Sequence, residues 1–360
     1  MKFDSLSLIR ELSLLFGPTG CEDRVADRIE ELVAPLCTSY CRDKMGNLLC
    51  LVRTGDPTAE NRRRIMLSAH MDEVGLMVNE VCDNGMLRFG TVGGINVSVL
   101  EGRKVTLLAN DGSLICGVVA SKAIHHRKRD EVDKPSEISK LYIDIGAEDR
   151  EDALRLVRVG TLATFDSEFY TFGKDGAYVK SKALDDRMGC AALIEIMGSL
   201  KDAPIQENFD LYFCFTVREE IGLSGAKVAA QKIAPELAIV LETTAIADLP
   251  DVEPCRRVAD VGKGGVLSVM DRGTIYNRDF LNFALGVSEE KKIPAQLKRY
   301  VSGGNDAGHI HKSGAGVRCL ALSVATRYLH SPSCVASMDD YRSVRDLTEA
   351  MLRAADAVRP

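Results

Sequence analysis

No stretch constrains this chain more than Phe209–Val217 with the residues that follow, Arg218-Glu219-Glu220-Ile221-Gly222. The run is apolar, rich in aromatics and bounded by polar residues, which reads as a buried strand of a parallel sheet. Two glutamates stand at its carboxyl end, where open α/β sheets gather ligands and chemistry. Gly222 and Gly225 bracket the start of a helix. Neighbours in an extended chain point to opposite sides, so Glu219 and Glu220 divide their work. One can bind a metal while the other faces substrate or water. Alone, the pair would read as a solvated acidic loop; the His and Asp residues at other strand ends change that.

Around this strand the chain alternates in α/β fashion. Ser5–Phe16 and Cys21–Leu36 carry helical apolar faces, and Tyr40–Val52 reads as a hairpin turning at Gly46-Asn47. Arg63–Ala69 is a strand that ends at His70-Met71-Asp72. The texture then changes. From Val74 to Asp166 there are short alternating strands and no long helix, with hairpin signals at Asp83-Asn84-Gly85 and Asn110-Asp111-Gly112. The charged stretch Lys122–Lys140 reads as a solvated mobile loop. From Ser181 the α/β texture returns: a helix from Leu184 to about Leu200, a helix from Ser224, and a strand Leu237–Leu241 ending at Glu242. Asn277–Glu289 is a helix, Gly303–Gly308 a turn into a short helix, Val317–Val324 a strand, and Met338–Val358 the last helix. The expectation is an α/β fold: a mixed sheet sandwiched by helices in residues 1–73 and 166–360, with a small β-rich, barrel-like domain inserted at 74–165.

At 360 residues two domains are the default. A formal charge of −6 argues against nucleic acid or an anionic membrane as partner. No apolar run reaches transmembrane length, and Met1-Lys2-Phe3-Asp4 does not open a secretory signal. The 11 cysteines include no Cys-x-x-Cys, and Cys50, Cys116, Cys190, Cys214 and Cys319 lie in apolar runs, where they act as small buried hydrophobes. A reducing cytoplasm follows.

Five metal-capable residues stand past strands or at a helix start: His70, Asp185, Glu220, Glu242 and His330. One zinc needs three or four ligands, so five with a bridging carboxylate fit a two-metal site. Asp72 can accept the free ring N–H of His70, and Glu219 is placed as general base for a metal-bound water. Taken singly each has an ordinary reading. A lone histidine is more often structural, and Asp186 reads as an acidic first helical turn. The remaining histidines fall in the charged loop (His125, His126) or flank a helix turn (His309, His311).

His70-Met71-Asp72-Glu73-Val74-Gly75-Leu76-Met77-Val78 resembles the first metal motif of the M42 metallo-aminopeptidases, the glutamyl, deblocking and tetrahedral peptidases. So do Lys182-Ala183-Leu184-Asp185-Asp186-Arg187, Glu219–Gly222, Gly304–Gly308 and Arg327–Pro332, while Tyr142–Ala147 is similar to that family's inserted domain. The likeness spans nearly the whole chain in the family's order. It implies His70, Glu242 and bridging Asp185 around one metal, with Asp185, Glu220 and His330 around the other. Glu219 then matches the catalytic base and Asp72 the carboxylate behind His70. The implied cofactors are two divalent ions, Zn²⁺, Co²⁺ or Mn²⁺, since His and carboxylate ligands suit all three. The implied substrates are peptides, and the implied assembly is a homo-oligomer of dimers, built through the inserted domain, packed into a dodecamer. Many relatives carry Asp where Glu242 stands in Val240-Leu241-Glu242-Thr243-Thr244; glutamate adds a methylene, which can shift the metal or its preference.

Two enzymatic alternatives and one non-enzymatic one compete. An M20-type carboxypeptidase or deacylase uses a similar metal set, but here no Pro follows the Asp, and the second domain follows the His-x-Asp strand directly. An endoglucanase-like glycoside hydrolase would need two carboxylates across a sugar bond, about 5–9.5 Å apart. It leaves His70 and His330 without a role, and the chain has no Trp to stack on sugars. A non-enzymatic scaffold with the same fold would be expected to lose ligands, and all five are present.

Overall fold

The computed structural model describes residues 2–126 and 136–358. Its centre is an 11-stranded mixed sheet. Four strands run parallel through the middle, in the order Phe209–Thr216, Arg63–His70, Leu237–Ala245, Arg318–Arg327. They carry Phe, Ile, Leu, Val, Ala and Cys on both faces because helices cover both sides. Ile65, Leu67, Phe213, Val240 and Leu320 are all buried. The hairpin Ser39–Arg42 and Leu48–Arg53 adds antiparallel strands at one edge, and Cys334–Ser337, Tyr178–Ser181 and Tyr170–Phe172 extend the other. Helix Leu184–Asp202 is buried on nearly every turn, packed among Ser5–Leu14, Met338–Arg353 and the central strands.

The second body is a closed barrel of six strands: Gly75–Val81, Leu87–Val92, Tyr142–Asp144, Leu114–Ala120, Lys104–Leu108 and Leu162–Phe165, in that order around the wall. Asp83-Asn84-Gly85 and Asn110-Asp111-Gly112 are both turns between antiparallel partners. Alternating residues fill the interior, among them Leu76, Val78, Leu87, Val105, Leu107 and Ile143. The fold is therefore the mixed α/β sheet with a barrel-like β unit that the sequence pattern predicts.

Several local expectations need correction. Cys116 is exposed, because its strand has one face outside the barrel. Helix Arg150–Leu156 interrupts the β-rich stretch, with Asp149 accepting the Asp152 N–H as its cap. Glu242 does not stand past its strand. Thr243, Thr244 and Ala245 continue pairing with Val324, Ala325 and Thr326, so the strand runs on to Ala245. The β-branched threonines extend a ladder that the charged residue had suggested was finished. The charged core of the Lys122–Lys140 loop, residues 127–135, lies outside the described residues. Among those that are described, no helix is long and apolar enough to cross a membrane.

Candidate active site

The five candidate ligands arrive from five elements at one end of the parallel sheet. His70 is the last residue of Arg63–His70, Glu220 follows Phe209–Thr216, Glu242 sits within Leu237–Ala245, and His330 follows Arg318–Arg327. Parallel strands put all these carboxyl ends on one edge of the sheet, so residues up to 260 positions apart in sequence converge. Asp185 comes from the start of helix Leu184–Asp202, in backbone that is not yet helical. Its carboxylate lies between the two imidazoles, with Oδ1 3.2 Å from His70 Nε2 and Oδ2 3.3 Å from His330 Nε2. Glu242 Oε1 is 3.4 Å from His70 Nε2, and Glu220 Oε2 is 3.3 Å from His330 Nε2.

Each ring is oriented from behind. His330 Nδ1 lies 2.8 Å from the Gly94 carbonyl, and a carbonyl only accepts, so Nδ1 is the donor and Nε2 faces the cluster. His70 Nδ1 lies 3.0 Å from the backbone carbonyl of Asp72 and 3.4 Å from its Oδ1. The closest orienting atom of Asp72 is thus main chain. Its carboxylate does other work: it accepts the Thr19 hydroxyl at 2.8 Å and the N–H groups of Glu219 and Glu220 at 3.0 and 3.2 Å. Asp72 therefore pins the backbone on which both glutamates stand. Neither Thr19 nor Gly94 carries a pattern in the sequence; both are found only by folding the chain.

The electrostatics ask for cations. Burial pushes the Glu219 carboxyl well above the ordinary range, raises Glu220, and lifts Glu242 to about 8. Burial opposes the charge on Asp185 too, but the two flanking imidazoles hold it low. The rings respond in kind. Burial works against a charged His330, yet Asp185 and Glu220 raise it to about 12, and Glu242, Asp185 and Asp72 lift His70 against the same opposition. Glu220 Oε1 is buried with no hydrogen-bond partner. An orphaned carboxylate oxygen inside such a ring of hard N and O donors fits a divalent cation. Asp186 also brings a carboxylate oxygen within 4.8 Å of donor atoms of His70 and Glu242, but both its oxygens are already engaged by main chain. Its carboxylate accepts the Gly189 N–H at 3.0 Å and the His70 N–H at 3.2 Å, the work of an acid in a first helical turn. Asp248 is held by Arg327 in two contacts, at 2.6 and 2.7 Å.

A cavity of about 390 Å³ opens over the cluster. Glu219, Glu242, Thr243, Lys298 and Asn305 are among its lining, and Lys298 is the one lysine or arginine among the described residues there.

A mixed sheet with chemistry at its parallel edge, a barrel beside it and a buried His/Asp/Glu cluster describe a metallopeptidase. The chain belongs to the M42 glutamyl aminopeptidase family, whose pattern it matches over residues 46–347. It is similar to the lysyl aminopeptidase of Pyrococcus furiosus, 30% identical over 341 residues that make up 93% of each chain. The TET aminopeptidase of the marine sediment archaeon Thaumarchaeota archaeon SCGC AB-539-E09 superposes with a TM-score of 0.92 at 33% identity, covering 97% of this chain and 96% of that one. The Pyrococcus horikoshii TET1 peptidase, described as able to assemble into a tetrahedron or a large octahedral shell, superposes at 0.84 with 32% identity, covering 97% and 99%. The protein is a hydrolase acting on peptides, and its family implies divalent metal ions.

Proposed function

We propose that this chain is a dinuclear metal-dependent aminopeptidase that removes amino-terminal residues from peptides. The observation that carries this reading is the Asp185 carboxylate, with one oxygen 3.2 Å from His70 Nε2 and the other 3.3 Å from His330 Nε2. His70, Glu242 and Asp185 would hold one ion; Asp185, Glu220 and His330 would hold the other. When bound, two such ions polarise a scissile carbonyl and make water acidic enough to attack near neutral pH. The rest of the chemistry belongs to the chain. Glu219 lines the cavity without being one of these five, takes a proton from the attacking water and returns it to the leaving amine. Burial raises its proton affinity, which suits a group that must both accept and release. Asp72 keeps that carboxylate in place through the Glu219 N–H. Lys298, whose Nζ donates to the Ser302 carbonyl at 2.8 Å, gives the cavity lining a cation, which favours a substrate whose first side chain is acidic.

Residues 1–73 and 166–360 form the catalytic unit in this reading, and residues 74–165 a dimerisation unit. The exposed Leu114 and Val118, on the outer face of one barrel strand, support a buried face there, within a dodecamer of dimers like the TET shells. The 11 free cysteines suit a reducing cytoplasm.

Two substitutions test the mechanism. Glu219→Gln removes the proton acceptor while leaving the five donors alone, so turnover falls by about 10²–10⁴-fold with both ions retained. Glu220→Gln removes a ligand, so metal content and turnover fall together. Release of metal by Glu219→Gln but not by Glu220→Gln would reverse these roles. Full hydrolysis in both would end the mechanism.

A further inference from the structure

The two halves of the cluster share Asp72, which stands behind His70 and accepts the Glu220 N–H, but their remaining supports differ. His70 and Glu242 stand on adjacent parallel strands, Arg63–His70 and Leu237–Ala245, whose register is set by main-chain pairing such as Ser68 with Val240. The atoms behind His70 come from Asp72, two residues past the end of that strand. His330 and Glu220 stand instead on segments beyond their strands, where no ladder fixes them.

What touches both of them is a glycine pair from the barrel. Gly93 and Gly94 follow barrel strand Leu87–Val92. The Gly94 carbonyl takes the His330 Nδ1–H at 2.8 Å. A Cβ on Gly94 would sit 3.4 Å from that same nitrogen and 3.7 Å from Cε1. A Cβ on Gly93 would sit 2.8 Å from Val74 Cγ1, 3.3 Å from Glu220 Cβ and 3.5 Å from Glu220 Oε2. Gly93 also has φ +81°, a left-handed backbone that glycine adopts without cost. The turn is anchored on both sides. Before it, Val92 pairs with Gly75 in the barrel wall; after it, the Asn96 side chain accepts the N–H and hydroxyl of Ser98 at 3.0 and 2.9 Å. The pair therefore leads directly out of the barrel wall and is brought against one half of the cluster.

We infer that Gly93-Gly94 is a positioning element for the His330/Glu220 half of the site, so that the seat of the barrel on the catalytic sheet sets the affinity of one of the two ions. The inference rests on the two-ion reading above. Partners that orient a metal ligand from behind are typically worth about 10–100-fold in metal affinity. The Gly94 carbonyl is such a partner, and glycine at 93 lets main chain approach where a Cβ would crowd Val74 at 2.8 Å and Glu220 at 3.3 Å.

The test is a titration of the full-length, EDTA-dialysed protein with Co²⁺ alone, following its visible spectrum, with the bound metal counted by elemental analysis. The wild-type chain should take two ions. Gly94→Ala sets a methyl against the His330 ring, 3.4 Å from Nδ1, and should weaken one ion by about 10-fold, the low end of the range for disturbing such a partner, while the other keeps its affinity. Gly90→Ala is the control, since its Cβ would meet only Asn79 Nδ2, at 4.0 Å, and it should titrate as wild type. Should Gly94→Ala fail to fold, Gly93→Asn, a residue that tolerates left-handed backbone, should weaken the same ion. Equal weakening of both ions, or of neither, overturns the inference. A wild-type chain that takes a single ion overturns the two-ion reading and this inference with it.

Discussion

Replacing Glu73 by Gln should destabilise the protein by about 3–5 kcal/mol, the usual cost of removing one partner from a buried ion pair. Glu73 is 3% exposed and ties together four parts of the chain. Its Oε1 takes Lys182 Nζ at 2.6 Å and the Gly17 N–H at 3.3 Å, with Arg187 Nη2 3.6 Å away; its Oε2 takes the Thr164 hydroxyl at 2.7 Å. Lys182 and Arg187 are as deeply buried, and Arg187 spends its other donors on the carbonyls of Met71, Leu12 and Gly17. Glutamine keeps the shape but leaves two buried cations without the carboxylate that pairs them. At about 2 °C per kcal/mol for a chain this large, the melting temperature should drop by about 5–10 °C. Calorimetry or urea unfolding reads this directly. Lys182→Met alone should also destabilise, while Glu73→Gln with Lys182→Met should cost less than the two single changes added together, because one unpaired cation is gone. A loss below about 1 kcal/mol for Glu73→Gln, or simple additivity in the double variant, would refute the claim that this charge cluster holds the junction of sheet and barrel.

Glu242→Ala should leave close to one ion per chain after dialysis, with no rescue by Asp248, which Arg327 already engages; elemental analysis decides it. Lys298→Met should lower kcat/KM on Glu-p-nitroanilide by about 10–100-fold, the loss of one charge-assisted contact, and raise it on Leu-p-nitroanilide. A uniform effect on both substrates would remove Lys298 from the substrate cavity. Burial raises the Asp340 carboxyl to about 6 although it accepts the N–H groups of Gly262 and Gly264 at 2.7 Å each. The folded state therefore binds its proton more tightly than the unfolded one, so this contribution is complete below pH 4 and is lost as pH rises through 6, at up to about 1.4 kcal/mol per pH unit. Asp340→Asn should flatten that slope, and an unchanged pH profile of unfolding would show that Asp340 does not titrate there.

The sequence determined the longer elements and pointed to the polar residues that the fold brings together. Apolar runs such as Phe209–Val217 declare buried strands by composition alone, Asp-Asn-Gly and Asn-Asp-Gly declare tight turns because they tolerate positive φ, and a polar group ending a buried strand stands out as chemistry. For these reasons the α/β texture, the β-rich insertion and the residues worth attention were legible. Short strands such as Gly265–Leu267, Ala295–Leu297 and Cys334–Ser337 were not. Three or four residues carry too little periodicity to register, and their pairing depends on a neighbour already in place. The end of the strand at Ala245 was missed for a related reason, since Glu242 looks like a terminus until Arg318–Arg327 lies beside it. Only tertiary structure decided what stands behind the site. Thr19 on Asp72, Glu73 between Lys182 and Thr164, and the Gly94 carbonyl on His330 join residues 53 to 236 positions apart. Such contacts leave no local trace, because a backbone carbonyl or a lone threonine acquires its role from what the fold packs against it.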